Sequence, residues 1–489
     1  MSVDLKNSVV IDNGTGFTKM GYAGNLDPDF VFPTAIADLA KKSSLSVSTK
    51  NDEYNYYIGD EAVRIAAESQ NHTLFYPMQK GIVENWDMME KYWHQSIYNY
   101  LKCDPQEHYF VLTEPPMNPP ENRENVAEIF FETFNVPGLY IGVQAVFALM
   151  GCNATFEQNP STELDGPTPE DQEKAGPISE DQEKAGLNSE DQKKAGLNSK
   201  DKKKAGLNSK DKKKAGLISE DQRKAISELT GVVVDSGDGV THVVPICDGY
   251  VLGSNIKHIP IAGRSITKFM EQMIRERAEP IKTEDLYLAT MDLKEKHGYV
   301  ADDLLEEYAN FDTKQEDEMT KMPKQSKYFK KFKGIGKISG QEYKIRVGYE
   351  LFLGPESFFS PEIIDKNWKM SLDETIDNTI QQCPIDYRRK LYSNIVMSGG
   401  STQFKNFDKR LMKSLQVRVD DRLAKNSTED FKPTPIKVCV TNNLAQKHVV
   451  WLGGSTLASS KDFGRIVHTR EEYLEKGPTC CRYNAVFGK

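Results

Sequence analysis

Long apolar runs are missing from this chain of 489 residues, and no stretch of about 18 apolar residues occurs that could cross a membrane. The first residues, Met-Ser-Val-Asp-Leu-Lys, lack the apolar core of a signal peptide. Cysteine is also scarce. The chain has seven cysteines, an odd number, and their spacing shows no paired metal-ligand motif. The sequence therefore predicts a soluble intracellular protein with free thiols.

An excess of positive charge and the common catalytic motifs are absent as well. The net charge of −9 argues against a general nucleic-acid-binding protein. No motif supports a zinc site, a Ser/His/Asp triad or a Cys/His pair, and the adjacent Cys480 and Cys481 indicate nothing further. Hydrophobic residues make up only 38% of the chain, but its length is sufficient for two or more domains with their own cores.

The most informative stretch is a glycine-rich turn between two apolar segments. Residues 232–234 are valines and predict a buried strand, residues 235–239 (Asp-Ser-Gly-Asp-Gly) predict a tight turn, and residues 240–244 predict a returning strand. Backbone N–H groups of such a turn can bind an anion, and carboxylates at its base suit a magnesium ion held through water. Taken alone, the pattern is that of an ordinary β-hairpin.

The same pattern occurs near the N-terminus. Residues 9–11 predict a strand, and residues 12–16 (Asp-Asn-Gly-Thr-Gly) predict a turn that leads into a returning strand. Two opposed hairpins could hold a polyphosphate from both sides, with Asp12 and Asp235 facing one metal ion. Lys19 could add a point charge of the kind found at many phosphate sites. The duplication therefore favours a phosphate-binding cleft.

Other segments alternate between strand and helix patterns. A strand is expected at residues 110–114, a helix from Asn122 or Arg123, and further helices over residues 88–93, 143–150 and 266–274. Residues 395–402 and 449–455 each resemble a strand followed by a Gly-Gly turn.

Two polar residues in these segments are candidates for a role in the cleft. Gln144 is either a polar residue in the first turn of a helix or an amide that orients a water molecule near phosphates. His242 is the one histidine in a suggestive position, three residues after the last glycine of the second glycine-rich turn.

Residues 167–226 form six ten-residue repeats, the last of them imperfect, such as Pro-Ile-Ser-Glu-Asp-Gln-Glu-Lys-Ala-Gly. Each repeat has the capping signals of a short helix, but such a helix is shorter than the roughly 12–15 residues needed for marginal stability in water. The favoured interpretation is a solvated, largely disordered insertion. The alternative is a tether whose basic copies, at residues 197–216, bind an acidic partner such as a filament surface.

Six stretches, in this order, resemble the actin superfamily: residues 12–16, 57–61, 144–146, 235–242, 397–400 and 451–455. The resemblance implies an α/β, actin-like fold of duplicated RNase H-like domains, with mixed sheets flanked by helices, closing around a central nucleotide cleft. It implies an outer domain at residues 1–150 plus 449–489, with a mobile loop at about 39–55, and an inner domain at 229–448. Residues 151–228 would be the repeat insertion.

The resemblance also implies residue roles, with ATP or ADP and Mg²⁺ as the ligands. Asp12 and Asp235 would hold the magnesium ion through water, and Gln144 and His242 would lie near the attacking water. The nucleotide would contact Gly14, Thr15, Gly16, Lys19, Gly237, Asp238, Gly239, Val240, Lys294, Glu295, Gly399, Gly400, Ser401, Gln403, Phe404 and Lys447.

Residues 113–124, 134–140, 383–386 and 477–488 are similar to one subfamily of actin-related proteins. That similarity implies a structural subunit rather than an enzyme, with slow ATP hydrolysis at most. Its partners would be actin-related protein 2, the other subunits of the branching complex, actin filaments and nucleation-promoting factors. It would mimic a filament end in the cytoplasmic cytoskeleton, at cell projections or actin patches, with a nuclear pool possible, and without nucleic-acid binding or membrane insertion.

Two other functions are weighed against this one. The first is a divergent paralogue that binds ATP and actin, or another assembly, without branching activity. The second is a sugar kinase of the same superfamily, for which no substrate-base motif is apparent. Three features depart from the family pattern: the repeats, Ser265 in place of an aspartate near the cleft, and Gln403 in place of a methionine.

Overall fold

The computed structural model describes residues 7–39, 56–69, 71–158, 229–311, 328–428, 432–443, 445–461 and 463–487. Two large mixed sheets with helices packed against them dominate this part of the chain, as the predicted α/β class requires. The loop predicted at 39–55 lies outside the described residues except for Leu39, and the repeats at 167–226 lie outside them altogether. Among the helices that are described, none is both long and apolar enough to span a bilayer.

The strands, in chain order, are β1 (Val9–Asn13), β2 (Phe17–Tyr22), β3 (Phe30–Pro33), β4 (Ile36–Leu39), β5 (Tyr56–Ile58), β6 (His72–Phe75), β7 (Met78–Gln79), β8 (Ile82–Val83), β9 (Tyr109–Glu114), β10 (Gly138–Val143), β11 (Gly231–Ser236), β12 (Thr241–Cys247), β13 (Tyr250–Val251), β14 (Lys257–Ile259), β15 (Lys330–Ile335), β16 (Glu342–Val347), β17 (Ile395–Ser398), β18 (Val440–Thr441) and β19 (His468–Thr469).

The α-helices are α1 (Gly59–Glu68), α2 (Trp86–Gln95), α3 (Pro120–Glu128), α4 (Gln144–Gln158), α5 (Gly263–Glu276), α6 (Thr283–His297), α7 (Leu304–Ala309), α8 (Glu350–Glu356), α9 (Leu372–Gln382), α10 (Ile385–Ser393), α11 (Phe407–Lys425), α12 (Val449–Ala458) and α13 (Arg470–Lys476). A π-helical turn follows α2 (Ser96–Leu101) and another follows α3 (Ile129–Thr133).

The two large sheets repeat one topology. In the first, with the order β19-β10-β9-β1-β2-β3, strands β1, β9 and β10 are parallel and β2 is antiparallel to β1. In the second, with the order β13-β12-β11-β17-β18, strands β11, β17 and β18 are parallel and β12 is antiparallel to β11. Each predicted glycine-rich hairpin thus joins the central strand of a sheet to its antiparallel neighbour.

Continuous apolar runs explain why β1 and β11 are central strands. Residues 9–11 and 232–234 are all fully buried, as expected for strands covered on both faces. One core cluster lies against each sheet, and a third lies between the sheets, where α4 and α12 pack together. This packing joins the two sheets on the side where α4 and α12 lie.

One predicted element is wrong, because residues 449–455 form the first part of α12 rather than a strand and a turn. A methyl group on Gly453 would come within 1.9 Å of the Phe147 carbonyl oxygen, and one on Gly151 within 2.3 Å of the Val449 carbonyl oxygen. The glycines therefore allow α4 and α12 to approach closely. A short apolar run fits a buried helix as well as a buried strand, so the sequence alone could not distinguish them.

Helix boundaries differ less from expectation. Helix α3 begins at Pro120 rather than at Asn122 or Arg123, since proline is well tolerated at the first helical position. Helix α4 continues to Gln158, beyond the predicted end at residue 150. The predicted apolar face of α5 is buried in the core beside the second sheet.

Candidate functional site

A cleft of about 380 Å³ lies between the β1–β2 turn and the β11–β12 turn. Every residue predicted to contact nucleotide, metal or water lines this cleft. These residues are Asp12, Gly14, Thr15, Gly16, Lys19, Gln144, Asp235, Gly237, Asp238, Gly239, Val240, His242, Lys294, Glu295, Gly399, Gly400, Ser401, Gln403, Phe404 and Lys447.

The first hairpin contains a buried ion pair. Asp12 and Lys19 face each other across β1 and β2, and the Lys19 ammonium donates to Asp12 Oδ2 at 2.7 Å. The Thr113 hydroxyl and the Gln144 amide donate to Asp12 Oδ1 at 2.6 and 3.3 Å. Burial alone raises the pKa of Asp12, but Lys19 and these hydrogen bonds outweigh it and lower the pKa below its ordinary value.

The second hairpin contains a buried carboxylate without such an ion pair. Asp235 faces His242 across β11 and β12, at the position where the first hairpin has lysine. The Ser398 hydroxyl, from the parallel strand β17, donates to Asp235 Oδ1 at 2.7 Å. Burial raises the pKa of Asp235, Ser398 partly opposes this, and the negative charge of Asp12 raises it further.

The donor set of the cleft fits a hydrated magnesium ion. Magnesium prefers oxygen ligands, keeps several waters, and is often bound through one or two carboxylates together with phosphates. Asp12 and Asp235 both line the cleft, and they are close enough for the charge of one to raise the pKa of the other. A divalent cation between them would offset the repulsion between the two carboxylates, which Lys19 offsets only in part.

The two turns interlock across the cleft because glycine occupies the contact positions. A methyl group on Gly16 would come within 2.7 Å of the Asp238 β-carbon, and one on Gly239 within 2.8 Å of the Thr15 hydroxyl. By contrast, a methyl group on Gly237 would have nothing within 4 Å. The second turn therefore leaves open space for a ligand beside Gly237.

The Asp238 carboxylate is occupied by an ion pair with Arg264. The guanidinium reaches Asp238 Oδ2 at 2.7 Å and lies 5.2 Å from the centre of the Tyr76 ring. Since this pairing offsets the negative charge of the side chain, we expect Asp238 to serve a phosphate through its backbone rather than its carboxylate.

A third wall of the cleft comes from the turn after β17 and from α6. Gly399 has a φ of +90°, and a methyl group there would come within 2.2 Å of the Ser236 carbonyl oxygen. The Ser401 hydroxyl donates to the Gly237 carbonyl at 2.7 Å, which ties this turn to the second hairpin. The Lys294 ammonium donates to the Gly263 carbonyl at 3.1 Å, and burial lowers the pKa of Lys294.

Gln144 and His242, the two residues predicted to lie near the attacking water, both line the cleft. Gln144 is the first residue of α4 and lines the cleft, so its place in the first turn of a helix is confirmed, while its role in orienting water stays a prediction. His242 Nε2 lies 3.3 Å from His258 Nδ1, on β14. Burial, and then the neighbouring His258, lower the pKa of His242 to about 4, so the imidazole is neutral near pH 7 and can exchange hydrogen bonds with water.

The sequence analysis missed several residues that line the cleft or contact residues that line it. Thr113 and Ser398 supply the hydroxyl groups that bond the two carboxylates, and His258 contacts His242. Gly81 donates its backbone N–H to the Thr15 hydroxyl at 2.8 Å. The sequence did contain a signal for Thr113 and Ser398. Each follows an apolar run that predicts a strand, and these strands, β9 and β17, pair in parallel with β1 and β11.

Of the two substituted positions, one lies in the cleft and the other does not. Gln403 lines the cleft. Ser265 is not among the lining residues; its hydroxyl accepts from the Ala262 N–H at 2.9 Å and donates to the Ala262 carbonyl at 2.8 Å. Ser265 thus helps to start α5, two residues after the cleft-lining Gly263, and the effect of losing the aspartate charge there stays a prediction.

Comparisons with known proteins agree over almost the whole chain. The sequence model of the family described as Actin matches residues 3–485. A Caenorhabditis elegans protein named actin-related protein 3 is 42% identical over 500 aligned residues, covering 100% of this chain and 99% of the relative. Proteins of the same name from Drosophila melanogaster and Dictyostelium discoideum are 41% identical over 490 and 40% over 487 residues, each covering 98% of this chain and 97% of the relative.

Proposed function

The chain belongs to the actin family, and from that premise we propose that it is an ATP-binding subunit of the complex that branches actin filaments. The match to the family confirms the predicted actin-like α/β fold. The similarity to full-length relatives named actin-related protein 3, at 40–42% identity, confirms the predicted relationship. Nucleotide binding and assembly into the complex are the proposed steps beyond that relationship.

The observation that carries the proposal is the interlocking of two hairpins around one cleft. The Gly14 and Gly237 N–H groups donate to carbonyls within their own hairpins, so the remaining backbone N–H groups of the two turns would bind phosphates from opposite sides. Lys19 would add positive charge. Each hydrogen bond to a charged phosphate oxygen is worth roughly 1.5–3 kcal/mol. Several such bonds from both sheets would hold the molecule closed, so nucleotide would act mainly as a clamp.

Magnesium would be held through water by Asp12 and Asp235, where it would neutralise phosphate charge. Lys294, Glu295, Phe404 and Gln403 would surround the adenosine from the third wall. This division agrees with the layout of the cleft, in which carboxylates lie at the base of the hairpins and longer side chains lie on α6 and after β17.

The hydrogen bonds of the cleft favour slow hydrolysis over rapid turnover. The Gln144 amide nitrogen is already within 3.3 Å of Asp12 and 3.4 Å of Thr113. His242 is a weak base, because its pKa is about 4. These two residues would orient a water molecule without strongly activating it, as suits a subunit whose conformation follows the bound nucleotide.

The proposed partners are actin-related protein 2, the remaining subunits of the branching complex, actin filaments and nucleation-promoting factors. The chain would mimic a filament end within the cytoplasmic actin cytoskeleton. We further propose an outer domain at residues 1–150 plus 449–489 and an inner domain at 229–448. The separate core clusters beside the two sheets support this division.

The proposal is tested by gentle purification of the tagged full-length chain from its own cells, followed by sizing and subunit identification. A stable assembly that contains actin-related protein 2 is expected. ATP affinity of the isolated chain is measured in parallel, with Gly237→Ala as the cleft variant and Gly464→Ala as the matched control, because neither position has an atom within 4 Å of an added methyl group.

Three outcomes would contradict parts of the proposal separately. ATP binding by a monomer, or by an assembly without actin-related protein 2, would indicate the divergent paralogue. Rapid, sugar-dependent ATP consumption would indicate a kinase. Equal ATP affinity in the Gly237→Ala and wild-type chains would place the phosphates elsewhere.

A further inference from the structure

A cluster of metal-ligating side chains lies near the C-terminus, outside the cleft. His468, Cys480 and Cys481 each offer one ligand atom, and these three atoms all lie within 4.8 Å of one another. The sequence analysis found no paired spacing here, because the histidine lies twelve residues before the first cysteine. Folding of α13 between them brings the three residues together.

The backbone around this cluster is firmly anchored. His468 lies on β19 and pairs with Leu139 of β10 in the first sheet. The cysteines end a 3₁₀ turn, Pro478–Cys481, that packs against α3. Directly after the turn, Arg482 forms ion pairs with Glu121 at 2.8 Å and Glu124 at 3.0 Å. The ligand atoms are thus held on two elements fixed to the same domain.

The spacing of the sulfur atoms matches that of two ligands on one tetrahedral metal ion. Cys480 Sγ and Cys481 Sγ are 3.7 Å apart. With zinc–sulfur bonds of about 2.3 Å, a tetrahedral angle places two ligand sulfurs about 3.8 Å apart. The same distance is far longer than the sulfur–sulfur bond of a disulfide, which is about 2.0 Å. The pair is therefore a preformed dithiol rather than a closed bridge.

Glu472 completes the surroundings of the cluster from α13. Its Oε2 atom lies 3.1 Å from His468 Nδ1, and its Oε1 atom accepts from Lys476 Nζ at 2.9 Å. The metal would then bind His468 Nε2, because Nδ1 is engaged by Glu472. Glu472 orients the ring from behind, as carboxylates commonly do for zinc-bound histidines.

We propose that His468, Cys480 and Cys481 bind one zinc ion, with Glu472 as the group that orients His468. On binding, two sulfur–zinc bonds and one nitrogen–zinc bond form, and the two thiol protons pass to solvent. Cys481 is buried in the core beside the first sheet, whereas Cys480 and His468 are partly exposed and leave a route for the ion. Zinc would fasten the C-terminal turn to β19 and α13.

The test uses cobalt as a spectroscopic substitute for zinc in the full-length chain. The protein is kept reduced and is saturated with Mg-ATP, so that the cleft does not take up the added metal. One equivalent of cobalt should produce a thiolate-to-metal charge-transfer band and the strong visible bands of a tetrahedral site. Zinc should then displace the cobalt and abolish both signals. Cobalt at an oxygen-lined site would give weak bands and no charge-transfer signal.

Three variants separate this site from the other thiols. Cys480→Ser and His468→Gln should each abolish the charge-transfer band or weaken cobalt binding at least tenfold. Glu472→Gln should weaken binding by about 10–100-fold. The matched control is Cys439→Ser, a partly exposed cysteine elsewhere in the chain, which should bind cobalt as the wild type does.

The variants also need to be folded for the comparison to hold, and this is checked by circular dichroism. Zinc should raise the melting temperature of the wild type and of Cys439→Ser, but not that of Cys480→Ser. The proposal is overturned if the reduced wild type takes up no cobalt with thiolate character. It is equally overturned if binding is unchanged in both Cys480→Ser and His468→Gln.

Discussion

The two glycine-rich hairpins share one topology but differ in the residue that faces the buried aspartate. Asp12 faces Lys19 across its hairpin, whereas Asp235 faces His242 at the equivalent position. Each carboxylate also accepts a hydroxyl from the neighbouring parallel strand, from Thr113 and Ser398 respectively. The pKa of Asp12 is consequently lowered, and that of Asp235 is raised.

The two hairpins therefore differ in how the charge of the buried aspartate is compensated. The first hairpin brings its own cation and is electrostatically complete without a ligand. The second hairpin has a neutral histidine in place of lysine, so under the proposed function its carboxylate would be paired by the cation that arrives with the nucleotide. We therefore expect the second hairpin to depend on a bound cation more than the first does.

The largest expected effect comes from neutralising the two aspartates in the nucleotide-free protein. Asp12→Asn should lower the free energy of unfolding by about 3 kcal/mol, because it leaves Lys19 partly buried without its partner. Asp235→Asn should leave that free energy unchanged or raise it, because it removes a buried charge that lacks an ion pair. Chemical denaturation of both variants and the wild type measures the difference.

The contrast between the two aspartates would be lost if both variants were equally destabilised. A control for the amide substitution itself is Asp29→Asn, an aspartate in an exposed set of hydrogen bonds, which should change stability little.

A second, smaller effect is expected at the glycines of the two turns. Gly16→Ala should lower the free energy of unfolding by about 1–3 kcal/mol, since its methyl group would come within 2.7 Å of Asp238 and force the hairpins apart. Gly237→Ala should leave the stability of the empty protein nearly unchanged but weaken ATP binding. Thermal melting with and without Mg-ATP measures both, and an equal effect of the two variants on the empty protein would refute the assigned contacts.

A third effect depends on pH. The neutral form of His242 is favoured by folding, so its contribution is complete above pH 6.5 and is lost as the pH falls toward about 4. Each unit of pH below 6.5 should cost about 1.4 kcal/mol of stability through this residue. His242→Gln should flatten the stability curve in this window, while His258 remains as a neighbour whose own pKa is also lowered by burial.

That experiment compares the slope of unfolding free energy against pH for the variant and the wild type. Identical slopes between pH 6.5 and about 4 would show that His242 is not buried as a neutral ring.

The smallest effect is expected from deletion of residues 167–226. Their composition predicts no core and no contribution to either hairpin. Melting temperature and ATP affinity should match those of the full chain within error. A large fall in melting temperature after deletion would show that the repeats form part of the folded structure.

Much of the cleft could be predicted because its residues lie in short local patterns. The apolar runs before Asp12 and Asp235, and the glycines after them, mark both hairpins without reference to the rest of the chain. The grouping of all the predicted residues followed from the resemblance to a family, since spacing alone does not place Lys294 or Lys447 beside the hairpins.

The features that could not be predicted from the sequence depend on contacts between segments that are distant in the chain. Thr113 is remote from Asp12 in the chain, and the parallel pairing of β9 with β1 brings them together. Helix α12 was mistaken for a strand because its glycines contact another helix rather than forming a turn. Cys480 and His468 lack a recognisable spacing, because α13 folds back between them.

The most direct test of the account is the magnesium dependence of ATP binding in Asp235→Asn. Wild-type ATP affinity should fall when magnesium is chelated. Asp235→Asn should bind Mg-ATP about 10–100-fold more weakly, the loss expected for one charged hydrogen bond, and should respond little to chelation. Retention of the full wild-type affinity and magnesium dependence by Asp235→Asn would contradict the claim that the second hairpin is completed by the cation of the nucleotide.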